Sequence, residues 1–140
     1  MRLVSLLAWT MATTMMLLSG SAGAGEIIAG EILIGAMALQ PEVMVTQPER
    51  RVLFTNRSNR SVHIQFNMKN PNGEQHHLVQ APGQIWAVFH QVGRHPFVVH
   101  FLDRTAPDLH GAVEVLDEPY GRPDPLVCSG ITVMGACLER

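Results

Sequence analysis

The feature that most constrains this chain is a series of short segments in which apolar and polar residues alternate with a period of two. Residues 61–68 carry the clearest case, with Val62, Ile64 and Phe66 on one side and polar residues between them. Such alternation is typical of a strand that buries one face. We find no segment with the 3.6-residue period of an amphipathic helix downstream of the N-terminal apolar run. The pattern predicts an all-β, antiparallel sandwich or barrel, with strands over Glu31–Met37, Glu42–Thr46, Arg51–Asn56, Ser61–Met68, Gln84–Gln91, Pro96–Leu102 and Gly111–Leu116.

The segment Gly93–Val115 predicts a hairpin with a long loop. Its two halves are rich in β-branched and aromatic residues, and Asp103–His110 between them holds a proline, two aspartates and a histidine. A loop of this kind, presented by a rigid sheet, is a common place for functional residues.

The N-terminus reads as a secretory signal peptide. Met1-Arg2 is basic, Leu3–Leu18 is apolar and uncharged, and Ala22-Gly23-Ala24 fits a cleavage site. An uncleaved anchor is the alternative, which the cleavage pattern disfavours. We therefore expect a periplasmic or secreted protein with a signal peptide over 1–24, one domain over 25–118, and a linker and tail over 119–140. No later apolar run is long enough to span a membrane.

Cysteine content and charge narrow the classes of function. Cys128 and Cys137 are the only two cysteines. In an oxidising compartment they are most simply a disulfide that closes the tail, and a pair of thiolate metal ligands is the alternative. The net charge of −2 and the lack of a large basic patch argue against a nucleic-acid partner.

Five sequence pieces, in order, resemble the cupredoxin family of small blue-copper proteins. They are a strand ending in F-x-N at Asn56, a histidine soon after it in SNRSVH, the Ala81-Pro82-Gly83 turn, GRHPFVV, and the closing DLHGAVEV. The resemblance covers about residues 31–116. It implies a Greek-key β-sandwich and, in the family at large, a copper site made of two histidines, a cysteine and a weak axial methionine.

Carried over residue by residue, the family's ligand set is mostly missing. His63 matches the first histidine, but the cysteine, second histidine and axial methionine positions fall on Val99, Leu102 and Leu109. The resemblance therefore implies a cupredoxin fold without a type 1 blue-copper centre. His100 and His110, each one residue away from a ligand position, offer a rebuilt site with His63. Ordinary surface histidines are the alternative, since alternation should turn His100 outward when Val99 points inward.

Two further groups of histidines have simpler interpretations. His76 and His77 are expected in an exposed polar loop, where neighbouring side chains point apart and chelate poorly together. His95 shares the inward face of Phe97, so we expect it to be buried and hydrogen-bonded.

We expect a function that is not enzymatic, because the sequence shows no Ser or Cys nucleophile with a histidine positioned to activate it. We expect an exported accessory or binding protein that docks an envelope partner, and a copper or respiratory system is one setting for such a partner. The alternative is a copper carrier or electron-transfer protein. Its rebuilt site would use His63 with His100 or His110, or a thiolate from the tail cysteines.

Overall fold

A computed structural model describes residues 28–68, 76–117 and 128–139. Two expectations lie outside these residues: the signal peptide over 1–24, and residues 119–127 of the linker and tail. The described residues form eleven strands and no helix, and so none of them offers a helix that could cross a membrane. The strands are β1 (Ile28–Ile34), β2 (Leu39–Gln40), β3 (Val43–Thr46), β4 (Arg51–Asn56), β5 (Val62–Phe66), β6 (His76–Val79), β7 (Gly83–Phe89), β8 (Gly93–Phe101), β9 (Leu109–Val115), β10 (Ile131–Val133) and β11 (Ala136–Leu138).

The strands build two sheets, which confirms the predicted all-β class. One sheet has the order β11-β10-β7-β4-β1-β2, and the other has the order β3-β9-β8-β5-β6. The prediction of purely antiparallel sheets is wrong, because β1 runs parallel to β4 and β3 runs parallel to β9. Parallel neighbours need a long crossover connection, so adjacent segments of sequence carry no local signal for them.

The core follows from the alternation along β4, β5 and β8. Every second residue of β4 and β5 is buried, and three phenylalanines from the three strands meet edge to face. The Phe54 ring centroid lies 5.6 Å from that of Phe66 and 5.1 Å from that of Phe97. These edge-to-face contacts suit the quadrupoles of the rings and add to the hydrophobic stabilisation from burial.

Several predicted strand bounds change by a few residues, and four short strands, β2, β6, β10 and β11, lie outside the seven segments predicted above. His76 and His77 belong to β6, so the prediction that they lie in a loop is wrong. This strand pairs with β5 and forms the edge of its sheet. His110 also lies in a strand, β9, because the long loop ends at Asp108 and not at His110.

The C-terminal hairpin of β10 and β11 is fastened to the rest of the sheet. Cys128 and Cys137 form a disulfide, as predicted, and β10 pairs with β7. The ring of His90 adds a polar tie, since it lies 2.6 Å from Glu49 through Nδ1 and 2.7 Å from the Thr132 hydroxyl through Nε2. The tail is therefore an integral part of the larger sheet.

The aromatic core yields a prediction about stability. Phe54→Ala removes a fully buried ring that contacts two others, and we expect it to lower the free energy of unfolding by about 3–5 kcal/mol. Leu53→Ala, on the half-buried opposite face of β4, is the matched control and should cost much less. Urea denaturation of both variants measures the difference. Equal losses would show that the outer face of β4 is as tightly packed as the core.

Candidate functional site

The candidate site lies on the outer face of the smaller sheet, where strand register places histidines side by side. On β5, Val62 and Ile64 point into the core, so His63 between them points outward. His63 stands directly opposite His100 of β8, and Gln65 stands directly opposite His76 of β6. Three neighbouring strands thus each contribute one imidazole to the same face.

The three rings are close to one another. The centroids of His63 and His76 are 5.9 Å apart, and those of His76 and His100 are 6.0 Å apart. They line a surface hollow completed by Gln65, Phe101, Leu102, Arg104, Ala106 and Asp108. We call these three histidines the imidazole cluster.

His100 is the member of the cluster that other side chains hold in place. Its Nδ1 lies 2.9 Å from a carboxylate oxygen of Asp108, and its Nε2 lies 2.9 Å from Oε1 of Gln65. Asp108 reaches this position because β8 and β9 pair Val99 with Leu109, so the next residues along, His100 and Asp108, are neighbours. A carboxylate on one imidazole nitrogen fixes the ring and directs the other nitrogen away from it.

The pKa of His63 is lowered by its position in the cluster. Partial burial lowers its pKa below the ordinary value of 6.5, and the nearby His76 and His100 lower it further. Burial disfavours the charged ring, and two more imidazoles that can become cationic oppose a third positive charge. The lowered pKa favours the neutral ring of His63, which is the form that ligates metals.

The loop beside the cluster is fastened by Arg60. Its guanidinium donates to the Thr105 hydroxyl at 2.6 Å and to the Ala36 carbonyl at 3.0 Å, and it lies 3.7 Å from the Asp103 carboxylate. It also stacks over the ring of Phe101 at 4.3 Å, an attractive cation–π contact. One side chain from the β4–β5 turn therefore positions the loop that carries Asp108.

The same loop has an internal tie. The backbone amide of Thr105 donates to Asp103 Oδ1 at 3.1 Å, and this bond is the main reason that the pKa of Asp103 is lowered. Side-chain-to-backbone bonds of this kind are typical of Asp at the start of a turn.

The turn that leads into His63 is built on a buried amide. Asn56 Nδ2 donates to the carbonyls of Arg60 at 2.7 Å and Val79 at 3.0 Å, while Asn56 Oδ1 accepts from Ser58. These bonds join the β4–β5 turn to the end of β6. They fix the relative positions of the two strands that carry His63 and His76.

Of the predicted ligands, the structure brings together His63 and His100 but leaves His110 apart. His110 pairs with Val98 and lies outside the hollow, because Asp108 occupies the place next to His100. The third imidazole comes instead from His76, which was assigned to a loop. The sequence gives little signal for this strand, because HHLV has two polar residues followed by two apolar ones and does not alternate.

The positions that correspond to the family's other copper ligands hold no donor atoms. Val99 and Leu109 lie opposite each other in the core, 0% and 8% exposed, and Leu102 is a half-exposed apolar residue at the end of β8. As expected from alternation, Val99 points inward and His100 outward. His63 and His100 therefore lie on the outer face of the sheet, and Val99 and Leu109 lie on the inner face.

The remaining chemical groups are engaged elsewhere. Each tail cysteine is bonded to the other, so neither offers a thiolate in this form. His95 is buried, as predicted, and donates through Nε2 to the Gln91 carbonyl at 2.8 Å. Within the described residues, no three His, Cys, Asp or Glu side chains already converge as metal ligands do.

Comparison with known proteins adds no family to these observations. No family model matches the chain, and no curated protein matches it either.

The cluster yields a prediction about titration. In His76→Ala, one source of positive charge near His63 disappears, so the pKa of His63 should rise toward 6.5. NMR titration of the histidine ring protons measures it, with His110→Ala as the control that should leave His63 unchanged. Since the lowered pKa penalises protonated native protein, stability contributed through His63 should fall as the pH drops below 6.5, and less so in His76→Ala. A His63 pKa unmoved by the substitution would contradict the coupling.

Proposed function

We propose that this protein is an exported accessory protein of cupredoxin type that lacks a blue-copper centre and binds copper(II) through the imidazole cluster. The observation that carries the proposal is that His63, His76 and His100, from three adjacent strands, share one face. The ring centroid of His76 lies 5.9 Å from that of His63 and 6.0 Å from that of His100. The assignment to the cupredoxin type rests on the order of the five motifs and on the elements they occupy. The F-x-N motif ends β4, the first histidine is in β5, and the last two motifs form β8 and β9.

The interior of the fold argues against a type 1 centre. Such a centre depends on a cysteine thiolate, and the corresponding position is Val99, packed against Leu109 in a dry apolar layer. Both belong to the continuous hydrophobic core of the two sheets. Among the described residues, these two positions therefore provide no donor atoms for the family's copper inside the sandwich.

The outer face, in contrast, has a feature that stability alone does not favour. Like charges that stand opposite each other on neighbouring strands destabilise a sheet, and three imidazoles on one face repel whenever more than one is protonated. A bound divalent metal would replace that repulsion with three favourable bonds. Nitrogen ligands of this kind suit copper(II) and also zinc.

The side chains can reach a common metal ion only after the rings turn, and the bonding pattern permits this. Within the described part of the chain, His63 and His76 make ring contacts but no side-chain hydrogen bond. Exposed and half-exposed side chains change rotamer readily. His100 is the fixed member, and Asp108 on its Nδ1 leaves Nε2 as the ligand once the Gln65 amide moves aside.

The exported setting and the acidic net charge favour a carrier or accessory role over catalysis. Docking of an envelope partner without metal is the second candidate. Leu78 and Leu102, 49% and 46% exposed, flank the cluster on the same face, and Leu78 stands directly opposite His63. An apolar border of this kind is common where a surface meets another protein.

The proposal predicts a copper(II) titration with a clear dependence on residue. One equivalent should bind to the mature chain, and His63→Ala or His76→Ala should weaken binding at least tenfold, since each removes one of three nitrogen ligands. Electron paramagnetic resonance of the loaded protein should show nitrogen ligands and no blue thiolate signature.

His110→Ala is the matched control, because it removes an exposed histidine of the same sheet that lies outside the hollow. Its affinity should equal that of the unaltered protein. Copper uptake that is loose, or equal in all four proteins, would reject the metal site and leave the docking function as the better interpretation. An intense blue colour would reject the absence of a type 1 centre.

A further inference from the structure

We infer that the metal site keeps a coordination position for a carboxylate ligand, and that Arg104 holds this ligand at the mouth of the hollow. This inference rests on the proposed function and names what the same site would accept next to its metal. The two arginines around the loop, Arg60 and Arg104, differ in their contacts.

Arg104 lies in the turn that ends β8. Its backbone amide donates to the Phe101 carbonyl at 3.1 Å, and its φ of 55° places it in the left-handed region, which non-glycine residues rarely occupy. Its side chain lines the same hollow as His63, His76 and His100. A residue in this backbone conformation within a binding hollow is a reason to look for function there.

The guanidinium of Arg104 has no hydrogen-bond or ion-pair partner among the described residues, although Asp103 precedes it and Asp108 lines the same hollow. Arg60, by comparison, donates hydrogen bonds to Thr105 and Ala36 and forms an ion pair with Asp103. One arginine thus fastens the loop, and the other presents up to five free donors beside the imidazole cluster.

The charge of the site favours an anion. Three neutral imidazoles would leave the two positive charges of a bound copper(II) ion uncompensated, and the Asp108 carboxylate is turned to Nδ1 of His100. A planar guanidinium recognises a carboxylate with two parallel hydrogen bonds. Leu102 and Ala106 line the hollow beside Arg104 and provide an apolar wall for the carbon chain of an organic acid.

Copper(II)-loaded protein titrated with acetate tests the inference, with paramagnetic resonance as the readout and a buffer that does not bind copper. Acetate should change the spectrum of the unaltered protein in a saturable way. Arg104→Gln should raise the acetate concentration needed for half of the change by about tenfold, the loss expected for a charge-assisted hydrogen-bond pair. Butyrate should act at lower concentration than acetate, because its chain would contact the apolar wall.

Arg94→Gln is the matched control. Arg94 lies on the same face of β8 and is exposed, but six residues from His100, or roughly 20 Å along the strand. It makes the same change in net charge, so it should alter the acetate response less than about twofold if the effect is local. An equal loss in both variants would show a general effect of charge and overturn the role of Arg104.

The spectrum recorded before acetate is added separates the two proposals. If it lacks nitrogen coupling that depends on His63, the metal site is rejected and the carboxylate position is rejected with it. If nitrogen coupling is present but acetate has no effect, the metal site stands and the carboxylate position is rejected. If acetate acts equally on Arg104→Gln, the role of Arg104 is rejected.

Discussion

The register between β5 and β8 is the constraint on which both the core and the candidate site depend. It pairs Phe66 with Phe97 and His63 with His100, four positions that fall on opposite faces of the same two strands. A slip by one residue would expose the phenylalanines and bury the histidines, at a large cost on both counts. The packing of the aromatic core therefore determines which histidines meet on the outside. The hydrophobic core thus positions the strands of the site, and the polar contacts of Asn56, Arg60 and Asp108 position the loop and the ring of His100.

The sequence allowed prediction of those parts that depend on local alternation. The all-β class, the strand Arg51–Asn56, the outward direction of His63 and His100, the buried His95 and the cysteine pairing all follow from the period of two or from spacing along the chain. The parallel pairings of β1 with β4 and β3 with β9 were not predictable in this way. They join segments separated by a complete crossover, and only the packing of two whole sheets selects them.

Two of the three histidines in the candidate cluster, His63 and His100, were predicted, and the third was missed for a related reason. The cupredoxin pattern predicts ligands from their spacing along the chain. This spacing favoured His110, which lies two strands away from His63. His76 belongs to none of the five motifs, yet it is on the strand directly next to His63. Cross-strand neighbours depend on sheet order, and sheet order is a property of the complete fold. A sequence motif therefore does not predict the sheet order.

The interior and the surface of the smaller sheet also differ in what substitution could change. Val99 and Leu109 are packed in the core, so a cysteine or methionine there would have to fit an apolar layer whose volume is already filled. The outer face has no such restriction, since rings that are half-exposed can gain or lose a ligand at little cost to packing. A chain of this fold with only apolar side chains in its interior would keep its stability. Its strands would still present pairs of side chains in fixed register on the outer face. We expect metal chemistry in such a chain to be found on the sheet face, where register supplies proximity and the core supplies rigidity.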